Sequence, residues 1–238
     1  MANAGDNARW YANRKGWTLL RRNVMVEGDR DVRYFKRAAC LYFHNSGKSL
    51  LGRDLSILAA GSGDRGGTAG IYEEFPTLVK IIQTDCDLQG KALFRVVALL
   101  DNDRAGNSLV KALLSQYRSM KKNRDLFLLN RVFPRNSSEP GILSRQIEIA
   151  NSAWKGLDCE IEDLLGTELI DGFLSGMTNA LARPPAEAGS YRHYEWRDIA
   201  KGHLALYAKE NAMLRDVTSI VEILKSLRFY LGLNPEGV

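Results

Sequence analysis

Cysteine and histidine are scarce in this sequence of 238 residues, with three of each. Cys40, Cys86 and Cys159 lie far apart and no CxxC pair occurs, which argues against a disulfide framework and a structural zinc site. His44, His193 and His203 are equally dispersed, so a histidine-rich metal site is not expected. Long apolar runs are missing too. The longest uninterrupted aliphatic stretch, residues 96–100, is far short of the roughly 20 residues a membrane span needs. The first residues are polar, include Asp6, Arg9 and Arg14, and contain no apolar signal core. These absences predict a soluble, cytoplasmic chain with no membrane partner. What is present is ordinary globular composition, 45% hydrophobic and 26% charged, which disfavours wholesale disorder. A chain of this size buries about 70% of its unfolded surface, enough to fold without cross-links.

The net charge of +5 hides an asymmetry. Residues 1–135 hold 23 Lys/Arg against 13 Asp/Glu, whereas residues 136–238 hold 10 against 15. A basic first half suits a polyanion-binding surface, because phosphate contacts supply most non-specific nucleic-acid affinity. A merely solvated basic face has the same composition, so charge alone decides nothing.

Along the chain, residues 1–22 read as a basic, aromatic arm or short helix. Residues 24–26 form a short apolar run closed by Glu27-Gly28, the mark of a buried parallel strand. Asp29 is placed to cap a helix over residues 30–43, and 44–54 read as loop. A second strand, 55–59, enters the glycine-dense segment 61–70, and a helix follows over 71–83. That segment is either a backbone nest for phosphate or a plain strand-to-helix turn. The third strand, 94–100, runs into Asp101-Asn102-Asp103. A helix over 105–119 and a fourth strand over 126–133 complete a βαβ pattern, which implies a parallel sheet. From residue 136 the pattern becomes helical, with helices over 142–154, 160–175, 197–212 and 214–231 and a Pro/Gly/Ala-rich linker at 182–190. The expected organisation is an arm (1–22), an α/β core (23–135) with about four parallel strands flanked by helices, and a helical C-terminal extension (136–238). The last helices either cap the sheet as core or offer a face for a homodimer or another partner. Tyr191, Tyr194 and Trp196 either stack on bases or anchor the core, the latter favoured.

The acidic residues fall where open α/β sheets place chemistry, at the carboxyl ends of strands. Glu27 ends the first strand, and Asp31 follows one helical turn later. Asp101 and Asp103 end the third, and continued strand alternation would point both the same way. Two carboxylates about 4 Å apart repel by roughly 4 kcal/mol at an effective dielectric of about 20, so a cluster needs a compensating cation. Oxygen-only ligation suits Mg²⁺ or Mn²⁺. Residue by residue, other motifs fail. A calcium loop from Asp101 would need Glu where Ala112 stands, and a phosphate-binding loop ending in Lys48-Ser49 would need Gly where Tyr42 stands. The small residue and Thr expected after the acidic pair of a haloacid-dehalogenase-type phosphatase are replaced by Arg104 and Ala105.

The ordered set Val26-Glu27-Gly28, Gly61 and Leu100-Asp101-Asn102-Asp103, with Gly106 after it, resembles the TOPRIM (topoisomerase–primase) domain over residues 22–135. Within that group, Glu27-x-x-x-Asp31 is most similar to the overcoming-lysogenization-defect (OLD) nucleases. Their late acidic motif is resembled by Glu160-Ile161-Glu162-Asp163, and their basic residue by Lys201 in Lys201-Gly202-His203. The resemblance implies a TOPRIM-like sheet and a Mg²⁺- or Mn²⁺-dependent nuclease. Glu27, Asp31, Asp101, Asp103 and Glu162 would be the ligands, with Glu27, Asp101, Asp103 and Lys201 catalytic. Arg21, Arg22, Arg30, Arg33, Lys36 and Arg104 would guide DNA or RNA. Because the ATPase fused in full-length members is missing here, the resemblance also implies a stand-alone defence nuclease working with a separate ATPase subunit. The competing expectations are an idle TOPRIM-type binding module, or a phosphatase with Asp101 as covalent nucleophile.

Overall fold

The computed structural model describes residues 6–61, 66–189 and 191–238. Four parallel strands, β1 (Arg22–Val26), β2 (Leu55–Ala59), β3 (Arg95–Leu100) and β4 (Leu126–Leu128), form one sheet in the order β2-β1-β3-β4. Register aligns Val24 with Ile57 on one side and with Val97 on the other. Both faces are covered, so the strands are apolar at nearly every position. One face carries Val24, Val26, Ile57, Val97, Leu99 and Phe127 into a large core. That core is closed by α2 (Asp29–Ser46), α7 (Asp198–Asn211) and α8 (Thr218–Tyr230). The other face buries Met25, Leu58, Val96, Ala98, Leu100 and Leu128 under α1 (Asp6–Arg14), α3 (Gly67–Thr84) and α4 (Arg104–Gln116). The expected α/β class with a parallel, helix-flanked four-stranded sheet is therefore present.

Several expected boundaries shift for local reasons. Residues 6–14 are helical, and Trp17 after them donates from Nε1 to the Ala59 carbonyl at 2.7 Å, so the arm is docked on the sheet. Gly28 rather than Asp29 occupies the cap of α2, because Asp31 turns back to accept the Gly28 N–H, and the helix continues to Ser46. The fourth strand stops at Leu128, where the chain leaves the sheet. The helix expected over 142–154 is α5 (Pro140–Ala150) plus a 3₁₀ turn (Ser152–Trp154). That expected over 160–175 splits into a 3₁₀ turn (Ile161–Leu164) and α6 (Thr167–Gly176). Residues 214–217 are also 3₁₀ before α8 begins. The linker contains a strand of an antiparallel hairpin, β5 (Ala186–Ala188) with β6 (Tyr191–His193). Residues 62–65 of the glycine segment lie outside the described residues.

Arg228 on α8 joins the C-terminal region to the core. It is fully buried and binds both oxygens of Asp54 at 2.6 and 2.8 Å, and it also donates to the carbonyls of Leu50 and Asn234. A two-pronged guanidinium–carboxylate pair with further donors satisfied is the form in which a buried cation is tolerated. Tyr194 and Trp196 are buried in the same core, as the anchoring reading expected.

Candidate active site

Glu27 leaves the end of β1 and stands beside the end of β3, where its Oε1 accepts the Asp101 N–H at 3.1 Å. Its carbonyl accepts the N–H of Gly67 at the start of α3. Gly67 has φ +71°, and a Cβ there would lie 4.0 Å from Glu27 Oε2. Asp31 Oδ2 accepts the Gly28 N–H at 3.0 Å. Asp31 and Asp101 line one small cavity of about 10 Å³ with Phe35, Leu129 and Ile161. Three acidic side chains from two strand ends thus share one rim.

The late acidic segment is brought to the same rim by a two-residue antiparallel bridge. Asn102 N donates to the Cys159 carbonyl at 2.9 Å and Cys159 N to the Asn102 carbonyl at 3.2 Å. Glu160, next in the chain, pairs with Lys201 of α7 at 2.7 Å, and Glu162 is 2% exposed. Burial, and then the Asp31 charge, push Glu27 up to about 7, although the Asp101 N–H and Lys201 oppose the shift. Burial likewise raises Asp31 to about 6 and Glu162 to about 7. Asp101 lies well above its ordinary range, through burial and the charges of Asp31, Glu27 and Glu162. Burial works against the Lys201 ammonium, yet Glu162, Glu160 and Asp101 together override it and raise its pKa. One half-buried cation, Lys201, faces several carboxylates.

Asp103 does not continue the strand, but its charge lies near enough to Glu27 to add to the rise of that carboxyl. β3 ends at Leu100, and Asp103 is the N-cap of α4, its Oδ1 accepting the Gly106 N–H at 2.7 Å. Gly106 is required there, since a Cβ would stand 2.1 Å from the Asp101 carbonyl oxygen. Gly106→Ala is therefore expected to shift the Asp101–Asp103 turn and cost about 1–3 kcal/mol of stability, measurable by thermal or denaturant unfolding.

The guiding cations divide. Arg30 lies near the acidic rim and pairs with Asp198 at 2.6 Å. Arg104 is exposed at the start of α4, and Arg33 and Lys36 are exposed on α2. Arg21 and Arg22 belong elsewhere: they sit at the amino end of β1, about 16 Å of strand from Glu27 at about 3.3 Å per residue. Arg22 is committed to the Leu231 carbonyl at 2.9 Å. A cleft of about 630 Å³ runs along the β2 edge past Lys15, Trp17, Lys36 and Phe43, and none of Glu27, Asp31, Asp101 or Glu162 lines it.

The pairing of Asp163, a member of the late acidic motif, with His193 was not visible in the sequence. The buried Asp163 carboxylate accepts from His193 Nδ1 at 2.8 Å, Glu160 N at 2.9 Å and Tyr194 N at 3.1 Å. The bond to Asp163 raises the His193 pKa. Glu160 is thus held by the carboxylate that orients the imidazole. Asp163→Asn is expected to lower the His193 pKa toward its free value of about 6.5, which an imidazole NMR titration reads directly. A spaced acidic motif followed some thirty residues later by a lone histidine carries no local signal of this pairing.

The donors suit a hard divalent cation, being all oxygen and held above their ordinary pKa by burial first and by one another's charge second. The Tyr34 hydroxyl, buried close to Asp31 and Glu162, has no hydrogen-bond partner and is a further unspent polar atom. Among the described residues, no three acidic, His or Cys side chains are arranged to hold a metal ion between them. Mg²⁺ commonly keeps several waters and takes only one or two carboxylates plus substrate phosphate, so it needs no closed set of three protein ligands.

No protein-family model matches the chain, and no curated protein or solved structure matches it either.

Proposed function

We propose that the protein is a divalent-metal-dependent nuclease that hydrolyses phosphodiester bonds. The observation that supports this most is the meeting of Glu27, Asp31 and Asp101 with Glu162 and Lys201 at the carboxyl rim of a parallel sheet. Glu27 and Asp101 would hold Mg²⁺ or Mn²⁺, which when bound lowers the pKa of coordinated water and neutralises phosphate charge. Asp31 and Glu162 complete the negative field. Lys201, fixed by Glu160, keeps a cation beside the position where phosphate charge develops. Arg30 and Arg104 would supply approach charge around this rim, with Arg33 and Lys36 farther along the exposed side of α2. The proposed setting, a TOPRIM-type defence effector working with a separate ATPase, follows from the sequence resemblance alone.

The deciding experiment is a cleavage panel of plasmid, linear duplex, single strand and total RNA, run with Mg²⁺, with Mn²⁺ and with chelator. Cation-dependent cleavage supports the reading, and none on any substrate overturns it. A second reading, a catalytically idle binding module, draws on the unclosed ligand geometry and on the use of Asp103 as a helix cap. It is separated by Mn²⁺ titration, since an idle module need not bind the ion. A phosphatase using Asp101 as nucleophile is less well supported, because Arg104 and Ala105 stand where such enzymes carry a small residue and Thr.

A further inference from the structure

A polar cleft of about 410 Å³ opens beside the acidic rim, within the range of about 300–1,000 Å³ usual for small-molecule sites. Its nearest wall is Asn102, the residue between Asp101 and Asp103. Three amides from different elements meet there: Asn102 after β3, Asn107 on α4 and Asn130 after β4. Asn107 spends both amide hydrogens, on Asn102 Oδ1 at 2.9 Å and the Asp103 carbonyl at 2.8 Å, so its own Oδ1 remains an acceptor. Asn130 gives its amide to the Leu128 carbonyl at 2.7 Å, leaving Oδ1 with only a long contact of 3.5 Å from Asn102. Unspent acceptors and the second Asn102 hydrogen thus gather on one side of the acidic pair.

The same lining carries an aromatic ring, Trp154. Trp154 packs edge-on against Tyr191 with ring centroids 4.2 Å apart. Tyr191 in turn lies under the Arg131 guanidinium at 5.0 Å. Arg131 is buried and anchored to the carbonyls of Asp163 and Arg192 at 3.0 and 3.1 Å, so the indole is braced from behind. Lys155 stands next to it on the lining, which also carries the carboxylates of Glu148 and Asp158. A braced ring, amide donors and acceptors and a cation on the lining of one cleft have the chemistry that receives a nucleobase by stacking and edge hydrogen bonds.

We infer that this cleft takes an unpaired nucleobase next to the phosphate held at the acidic rim, which makes unpaired strands the favoured substrate class. The inference rests on the nuclease reading for the position of the phosphate. A base inside a duplex is stacked and paired, so it would have to be pulled out first at a cost of a few kcal/mol.

The test measures binding of the full chain, by fluorescence anisotropy under chelator, to labelled short strands of equal phosphate count. One carries bases, one is fully abasic, and one is the base-bearing strand annealed to its complement. The base-bearing single strand is expected to bind about ten-fold tighter than the abasic one, as stacking of one base allows. Trp154→Ala should erase that preference and Trp154→Phe should restore most of it. Equal binding of the two single strands by the wild type, no binding of either, or a preference that survives Trp154→Ala overturns the inference. Tight duplex binding overturns it as well. A free nucleoside monophosphate binding through Trp154 with no strand preference would assign the cleft to a small ligand and also overturn it. Base-dependent binding without cleavage under any cation would remove the nuclease reading and leave the cleft standing. Cleavage with no base dependence would do the reverse.

Discussion

Replacing Glu27 by glutamine is expected to reduce cation-dependent cleavage by about 10²–10³-fold or more, the scale at which removal of one charge-stabilising active-site group usually registers. Asp101→Asn should do the same. Glutamine is the informative substitute because its carbonyl oxygen can still accept the Asp101 N–H that Glu27 Oε1 accepts at 3.1 Å, so the strand ends stay joined. Stability should not fall. Glu27 is held up to about 7 by burial and by Asp31, which means its ionised form is disfavoured by the fold. A neutral side chain at position 27 should therefore leave the melting temperature at alkaline pH unchanged or higher. Cleavage at wild-type rates by either purified variant would refute the assignment, and loss of activity with loss of folding would point to a structural role.

The second large effect joins pH, stability and the cation. Glu27 and Glu162 lie at about 7 and Asp31 at about 6 in the folded chain, against about 4 when unfolded. Between those limits the native state binds more protons than the unfolded one, so stability declines as pH rises through that window and is lowest above it. His193, raised by its bond to Asp163, acts in the same direction: its contribution is complete below about 6.5 and disappears as pH rises through the folded pKa. The chain should therefore melt higher near pH 5 than near pH 8 in chelator. A divalent cation present at about 100 times its dissociation constant adds about 2.7 kcal/mol, at about 2–4 °C per kcal/mol for a chain of this size. That shift should appear at pH 8 and shrink at pH 5, where the carboxylates are protonated. A calorimetric scan at the two pH values, with and without Mn²⁺, measures both. Equal Mn²⁺ shifts at the two values would show that these carboxylates are not the binding groups.

The sheet was legible because its signals are local. Runs such as residues 96–100 fit only a strand buried on both faces, and Glu27 and Asp101 follow directly from where those runs stop. Helix boundaries were legible to within a few residues, except where a side chain redirected the backbone. Asp31 does this at Gly28, and Asp163 does it at Glu160, where a 3₁₀ turn replaces a longer helix. The roles of Asp103, Arg21 and Arg22 were not legible. A carboxylate can cap a helix or face a ligand with the same residue spacing, and a basic pair at the start of a strand is compositionally identical to one at its end.

The sequence by itself determined the alternation of strands and helices and the acidic residues at the strand exits, because hydrophobic period and turn chemistry act over a few neighbouring residues. Only the tertiary structure decided that Asn102 meets Cys159, that Lys201 reaches Glu160 and that His193 reaches Asp163. Those pairs lie tens of residues apart. They form because burying the C-terminal helices against the sheet fixes where the intervening loops run, and no local pattern encodes that path.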